Sequence, residues 1–339
     1  MKSKFLVHQF LNKLIDRQDL TLDETQSIME EMLAGKLLPT QIAEILTALR
    51  MKGETVNEIL GFVTVMRKHM VKIKAPGMVI DTCGTGGDGK GTFNISTAVA
   101  FVVAGAGIKV AKHGNKNVSS LCGSADVLEA LGVNINLGPK QAEELLRKTN
   151  FTFLFAPLFH PAFKHVVPVR KELKIRTVFN FLGPFVSPAS VKRQVIGVPN
   201  IVLVENLSKV ASRLNYQHLL LVSSEDGLDE ISLSARTIGY EIKDKKIRKI
   251  VIDPTDFGFD RVSLDDIKGA DAKTNARIIK NILTGGEGAG RDIVLLNSAA
   301  VLLVAGSVNN LREGILLAEE SLKEGRAMRV LEKVIQYAI

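Results

Sequence analysis

Five of the eight residues from Gly84 to Gly91 are glycine. The run stands between a strand-like segment, Met78 to Thr82, and an apolar stretch, Asn94 to Gly105, whose pattern is that of a buried helix. A strand that feeds a helix through such a loop restricts the chain to a sheet covered by helices. Glycine tolerates positive φ and carries no side chain, so the N–H groups of the loop can converge on one anion. Phosphate is the expected ligand. Two familiar phosphate patterns nevertheless fail here. Gly84, Gly86 and Gly89 satisfy G-x-G-x-x-G, but the acid that a dinucleotide fold needs roughly 20 residues on is missing. Between Asp88 and Asp126 there is no carboxylate, only Lys90, Lys109, Lys112 and Lys116. Gly84 to Lys90 also matches the start of a P-loop, yet Gly91 stands where the metal-binding Ser or Thr belongs. Asn94, Ser96 and Thr97 fall at or in the first turn of the helix, as an ordinary N-cap or as part of an anion site.

Before the glycine run the pattern is helical only: Phe5 to Arg17, Leu22 to Ala34, Pro39 to Lys52 and Val56 to Val71. Residues 1–72 are therefore expected to form a small all-helical N-terminal domain, joined through the turn-rich Lys74-Ala75-Pro76-Gly77 to an α/β domain over 73–339. In that second part strand candidates are Met78 to Thr82, Ile108 to Ala111, Val133 to Asn136, Phe151 to Ala156, Arg193 to Val198 and His218 to Val222. Helical stretches lie between most of them, including Ser124 to Leu131, Pro139 to Thr149 and Ile201 to Leu214. The alternation predicts a mostly parallel central sheet. A hairpin is expected near 238–252, then helices over Ala270 to Leu283, Ile293 to Ala305, Asn309 to Glu324 and Arg326 to Tyr337.

In such sheets ligands sit outside the carboxyl ends of the strands, and the polar motifs fall there. Lys112-His113-Gly114-Asn115-Lys116-Asn117-Val118-Ser119-Ser120 offers two ammonium groups with hydroxyl and amide donors, suited to phosphate oxygens or to a solvated turn. Asp226, Asp229 and Glu230 form an acidic knot whose repulsion a Mg²⁺ ion would relieve; the bland alternative is an ordinary acidic loop. Arg170, beyond His160 and His165, could pair with a carboxylate or be a surface arginine. Neither a Ser-His-Asp set nor a zinc-ligand spacing is found.

The net charge of +8 fits a nucleic-acid surface or a pocket for a polyanionic small molecule. The densest basic cluster, Lys243 to Lys249, reads as a solvated hairpin, and with no Trp and three Tyr the chain is poor in stacking platforms for bases. Only two cysteines, Cys83 and Cys122, without a paired spacing, and the lack of a signal-peptide pattern point to a reduced cytoplasm. The longest apolar run, Ile293 to Val304, is interrupted by Asn297 and Ser298 and too short for a bilayer, so no membrane role is expected.

Taken in order, GTGGDG (84–89), NIST (94–97), KHGN (112–115), SAD-x-LEALG (124–132), FLFAP-x-x-HPA (153–162), RT-x-FN-x-LGP (176–184) and DGLDE (226–230) closely resemble the anthranilate phosphoribosyltransferase family, and Arg291 to Asn297 fits as well. The resemblance spans essentially the whole chain. It implies a Mg²⁺-dependent enzyme of tryptophan biosynthesis that joins anthranilate to phosphoribosyl pyrophosphate. It also implies a homodimer formed through helical-domain surfaces, and a segment near 165–190 that returns to the helical domain. By motif it assigns Gly84, Gly87, Asp88, Thr92, Asn94, Ile95, Ser96 and Thr97 to the donor. Lys112, His113, Gly114, Asn115, Lys116, Asn117, Val118, Ser119, Ser120 and Ser124 would complete that site. Ser96, Asp229 and Glu230 would bind Mg²⁺; Gly84, Asn115 and Arg170, with His113, His160 and Gly183 nearby, would face anthranilate. Leu121 departs from the polar or basic residue expected there. No covalent nucleophile is implied. The alternatives are a pyrimidine nucleoside phosphorylase, or a non-catalytic relative that binds nucleic acid, against which DGLDE and Arg170 argue together.

Overall fold

The computed structural model describes residues 2–116 and 122–337. It opens with four helices, α1 (Lys2–Ile15), α2 (Leu22–Leu33), α3 (Pro39–Lys52) and α4 (Val56–His69). Their starts follow from local chemistry. Thr21 and Thr55 each accept the N–H of a glutamate three residues on, and that glutamate reaches back to the cap N–H. Pro39 occupies the first turn of α3, where its missing N–H costs nothing.

Strands and helices then alternate: β1 (Ile80–Asp81), α5 (Ile95–Gly105), β2 (Val110–Gly114), α6 (Ser124–Ala130), α7 (Pro139–Thr149) and β3 (Phe151–Phe155). Three short helices follow, α8 (Ala156–Phe159), α9 (Val167–Leu173) and α10 (Phe179–Leu182). The chain continues through β4 (Arg193–Gly197), α11 (Ile201–Arg213), β5 (His218–Ser224), β6 (Thr237–Lys243) and β7 (Lys246–Ile252), and closes with α12 (Ala272–Leu283), α13 (Ala289–Ala305), α14 (Leu311–Lys323) and α15 (Arg326–Tyr337).

The seven strands form one sheet in the order β3-β2-β1-β4-β5-β6-β7. Pairings from β3 through β5 are parallel, and β6 and β7 add antiparallel to the β5 edge. The hairpin turn has Asp244 and Lys245 both at positive φ, 51° and 65°, the conformation that matches strand twist in a two-residue turn. Against the sheet packs α5, whose residues from Thr97 to Ala104 are all buried. A helix apolar on all sides belongs inside a core, and Phe101 stacks on Phe151 of β3 at 4.5 Å.

Two compact units result: Met1–Val71 with Phe159–Val186, and Lys72–Leu158 with Ser187–Ile339. The first is helical; within it Arg67 Nε donates to the Phe185 carbonyl at 2.7 Å, and the Val71 N–H donates to the Phe159 carbonyl at 2.8 Å. The second contains the whole sheet.

One expected strand does not form. Val133, Ile135 and Leu137 are buried while Asn134 and Asn136 are exposed, so the alternation is real. The segment has no ladder partner among the described residues, however, and Asn134 Oδ1 instead accepts the Asn136 N–H at 2.9 Å. A second difference concerns β2, which runs on through Lys112, His113 and Gly114 rather than stopping before them. Among the described residues no helix is long and apolar enough to cross a membrane.

Candidate active site

The sheet order reverses direction between β1 and β4, the topological switch point at which open α/β sheets bind ligands. The glycine loop leaves β1 there. Gly86, Gly87, Gly89 and Gly91 all have positive φ, between 67° and 79°, so the run is needed for its backbone and not only for space. The Thr85 N–H donates to the Gly197 carbonyl at 2.8 Å, tying the loop to the end of β4. On its other side Gly197 meets the backbone of Asp229 so closely that a Cβ would overlap the Asp229 carbonyl. Gly197 is thus the contact that lets DGLDE approach the glycine loop, and the sequence motifs gave no notice of it.

Within DGLDE the acids divide. Asp226 is structural: its carboxylate accepts the Leu228 N–H at 3.0 Å and the Ser232 hydroxyl at 2.6 Å. Asp229 and Glu230 are half-buried and face the site. Burial, then the Asp88 carboxyl with which Asp229 shares a hydrogen bond, pushes Asp229 up to about 7. Glu230 is raised well above the usual carboxylate range by burial and by Asp229; Lys112 and the Ser96 N–H pull the other way. Behind them Asn297 of α13 clamps Ile231, accepting its N–H at 2.9 Å and donating to its carbonyl at 2.8 Å.

Lys112 is 2% exposed. Its ammonium lies beneath the loop, donating to Ser96 Oγ at 3.0 Å and Thr82 Oγ1 at 3.3 Å. Buried Asp81, the last residue of β1, completes this charge layer. Burial raises its carboxyl to about 6 against the pull of Lys112, and its Oδ1 accepts the N–H groups of Cys83 and His113.

The other expected donor residues are placed as follows. Asn94 precedes α5 without a side-chain cap bond. The side chains of Ile95 and Thr97 are buried in the core, so these two can offer a ligand only backbone. Thr92 bridges to Lys268. Gly114 packs against Ser124 Oγ and the Phe153 ring, where a Cβ would not fit. Asn115 is exposed, its carbonyl accepting the Ala125 N–H at 3.2 Å. Lys116 is turned away into an ion pair with Glu129 at 2.8 Å. Only Lys112 of the two expected ammonium groups therefore lies under the glycine loop, because β2 carries it there. Asn117, Val118, Ser119, Ser120 and Leu121 lie outside the described residues.

Arg170, His160 and Gly183 belong to the helical unit. The Arg170 guanidinium sits over the Phe179 ring at 5.4 Å, half-buried, with no carboxylate paired to it among the described residues. Phe179 is held edge-on by Phe62 and Phe163, each at 5.6 Å, and His160 stands edge-on to Phe163 at 5.9 Å. Burial lowers His160 to about 4, so the imidazole is neutral at pH 7. A Cβ at Gly183 would meet nothing within 4 Å. A cation on an aromatic wall beside open space suits a planar carboxylate.

Among the described residues no three His, Cys, Asp or Glu side chains converge into a complete metal-ligand set. The donors nevertheless suit Mg²⁺, which takes one or two carboxylates and fills its shell with water and substrate phosphates. Asp88 and Asp229 share a hydrogen bond and Glu230 stands next to them, a concentration of carboxyl groups that a divalent cation relieves.

A phosphate cradle at the switch point, bordered by acids suited to a hard cation and attached to a helical bundle, defines a class: the glycosyltransferases that act on phosphorylated sugars. Residues 8–70 match the helical bundle domain of a glycosyl transferase family, and residues 76–328 match its a/b domain. An anthranilate phosphoribosyltransferase of Dehalococcoides mccartyi is 46% identical over 333 residues, 98% of each chain. The crystal structure of the Thermus thermophilus anthranilate phosphoribosyltransferase superposes with a TM-score of 0.90 at 37% identity, covering 97% of this chain and 98% of that one. The Saccharomyces cerevisiae enzyme in complex with PRPP and Mg gives 0.90 at 30% identity, with 98% and 97% covered. The chain belongs to the anthranilate phosphoribosyltransferase family.

Proposed function

We propose that the chain transfers the phosphoribosyl group of phosphoribosyl pyrophosphate to the amine of anthranilate, releasing pyrophosphate, as a step of tryptophan biosynthesis. The observation that carries this reading is the meeting of Asp88, Asp229 and Glu230 with the positive-φ glycine loop over buried Lys112. That combination suits a pyrophosphate with Mg²⁺ and serves a nicotinamide cofactor poorly. Ser96, Asp229 and Glu230 would hold the metal, which when bound neutralises charge on the leaving pyrophosphate.

The chain's own groups then have distinct work. Backbone N–H groups of Gly84, Gly87 and their neighbours, with Asp88, Thr92, Asn94 to Thr97, the segment from Lys112 onward and Ser124, orient the donor. Arg170 takes the anthranilate carboxylate, beside neutral His160 and open Gly183, while Gly84, His113 and Asn115 complete acceptor recognition. The amine of anthranilate is weakly basic, so the bond from ribose C1 to pyrophosphate loosens first. Positive charge develops at C1, the bond from nitrogen to C1 forms as the electron pair departs on pyrophosphate oxygen, and the nitrogen then gives up one proton to solvent or to the departing pyrophosphate. Positioning and fixed electrostatics serve such a step without a protein nucleophile.

Exposed Ile15, Leu38 and Met51 on the helical unit, 64%, 58% and 77% accessible, support a homodimer through that surface. Cys83 and Cys122, neither of them in a disulfide among the described residues, support a cytoplasmic site of action. The deciding assay is the loss of anthranilate fluorescence when phosphoribosyl pyrophosphate is added with Mg²⁺. A signal that persists under those conditions rejects the assignment.

A further inference from the structure

The amide of Asn275 makes contacts that neither donor nor acceptor recognition explains. It lies in the first turns of α12 and is 1% exposed. Its Oδ1 accepts the Ala270 N–H at 2.8 Å, and its Nδ2 donates to Asn94 Oδ1 at 3.0 Å. Asn94 Nδ2 donates onward to the Cys122 carbonyl at 3.0 Å. The surrounding backbone is laced to the end of the glycine loop as well. The Gly269 N–H donates to the Gly91 carbonyl at 2.8 Å, and the Phe93 N–H to the Ile267 carbonyl at 3.2 Å. A Cβ on Gly269 would lie 2.6 Å from both Asn275 Oδ1 and Phe93 Cα, so the segments approach without room for a side chain.

Asparagine ahead of a helix normally turns its Oδ1 onto the N–H of the second or third helical residue, here Ser96 or Thr97. Asn94 does not. Its backbone, at φ −73° and ψ 73°, forms an inverse γ-turn closed by the Ile95 N–H to the Phe93 carbonyl at 2.7 Å. The Thr97 N–H closes onto the Asn94 carbonyl at 3.0 Å, and the Ser96 N–H lies near the Glu230 carboxylate, whose charged form it favours. Whatever holds Asn94 Oδ1 therefore decides whether the start of α5 faces its own side chain or the site.

We propose that Asn275 is a positioning residue for the donor site: by holding Asn94 Oδ1 it prevents Asn94 from capping α5 and leaves that helix N-terminus to Glu230 and the donor phosphates. The proposal rests on the transferase reading above and deepens it. Asn275→Ala removes the contacts to Ala270 and Asn94, together with a side-chain hydrogen bond to Cys122. Asn275→Asp is nearly isosteric and keeps the acceptor for Ala270, but has no N–H for Asn94, so it serves where the alanine variant folds poorly.

In both variants KM for phosphoribosyl pyrophosphate is expected to rise about tenfold, the scale of one hydrogen bond to a charged group. KM for anthranilate and kcat stay within about twofold. Calorimetric titration with Mg-pyrophosphate, which needs no acceptor, weakens by the same factor. In an Asn94→Ala background the further change Asn275→Ala has no added effect on donor KM, because no Oδ1 remains to be restrained. Unchanged donor KM and pyrophosphate affinity in folded variants overturn the proposal. So does an equal rise in both KM values, or additive effects in the double variant. A wild-type protein that binds pyrophosphate without consuming anthranilate would sink the transferase reading alone, and the pyrophosphate titration would still decide the role of Asn275.

Discussion

Arg170 is the residue whose surroundings most sharply set its use. A half-buried guanidinium on an aromatic wall, with no carboxylate paired to it among the described residues, suits the proposed role of receiving one. Arg170→Ala is expected to raise KM for anthranilate by about tenfold to over a hundredfold, from roughly 1.5–3 kcal/mol per charged hydrogen bond, and to spare KM for the donor. Steady-state kinetics with each substrate varied check this, and an unmoved anthranilate KM refutes the role. Asp229→Asn with Glu230→Gln should shift the Mg²⁺ titration of activity to higher concentration, and a superimposable titration would remove both from the metal site. Both residues were legible because their motifs are local. Gly197, Asn275 and Asn297 were not, since each acts on a segment distant in sequence and none has a chemical type that announces a site. Gly197→Ala tests the first of them. The Cβ would force Asp229 away at about 1–3 kcal/mol, as overpacking does, and calorimetric unfolding should show that loss together with weaker Mg²⁺ dependence.

Among the elements, α5 and β2 carry the two halves of the proposed anion site, and they were not equally readable. The start of α5 was clear from Asn94-Ile95-Ser96-Thr97, but the destination of the Asn94 amide depends on α12, which arrives 181 residues later. Lys112 looked like a loop lysine because polar residues follow it. As part of β2 it is instead buried under the loop, while Lys116, past the strand end, swings out to Glu129. The segment from Val133 to Leu137 shows the converse: alternating burial creates the period of a strand without a neighbour to pair with. Pattern reports which side chains are covered, and hydrogen-bond partners decide the backbone. At this scale Asn297→Leu, of similar volume, should free the Ile231 backbone and raise the Mg²⁺ concentration for half-maximal activity. Circular dichroism should meanwhile show the helix content retained.

For the molecule as a whole, the raised carboxyls make stability depend on pH. Asp229, near 7, and Asp81, near 6, bind protons in the native state well above the ordinary aspartate value of 3.8. Between about pH 4 and 7 these two groups hold more protons in the folded chain than in the unfolded one, so their contribution to unliganded stability falls as pH rises through that window, while buried His160, lowered to about 4, acts in the opposite sense. Thermal midpoints measured across it should decline less steeply for Asp229→Asn; identical slopes would contradict the assignment.

The helical unit consists of Met1–Val71 and Phe159–Val186, two stretches separated by the first strands of the sheet. On the ribosome its opening helices emerge long before the piece that completes them. Until Phe185 is synthesised Arg67 lacks its carbonyl partner, and until Phe159 appears Val71 lacks its own. The first part made is among the last finished, so during synthesis the nascent helices must wait, partly uncovered, for a closing segment that arrives only after the glycine loop has been translated.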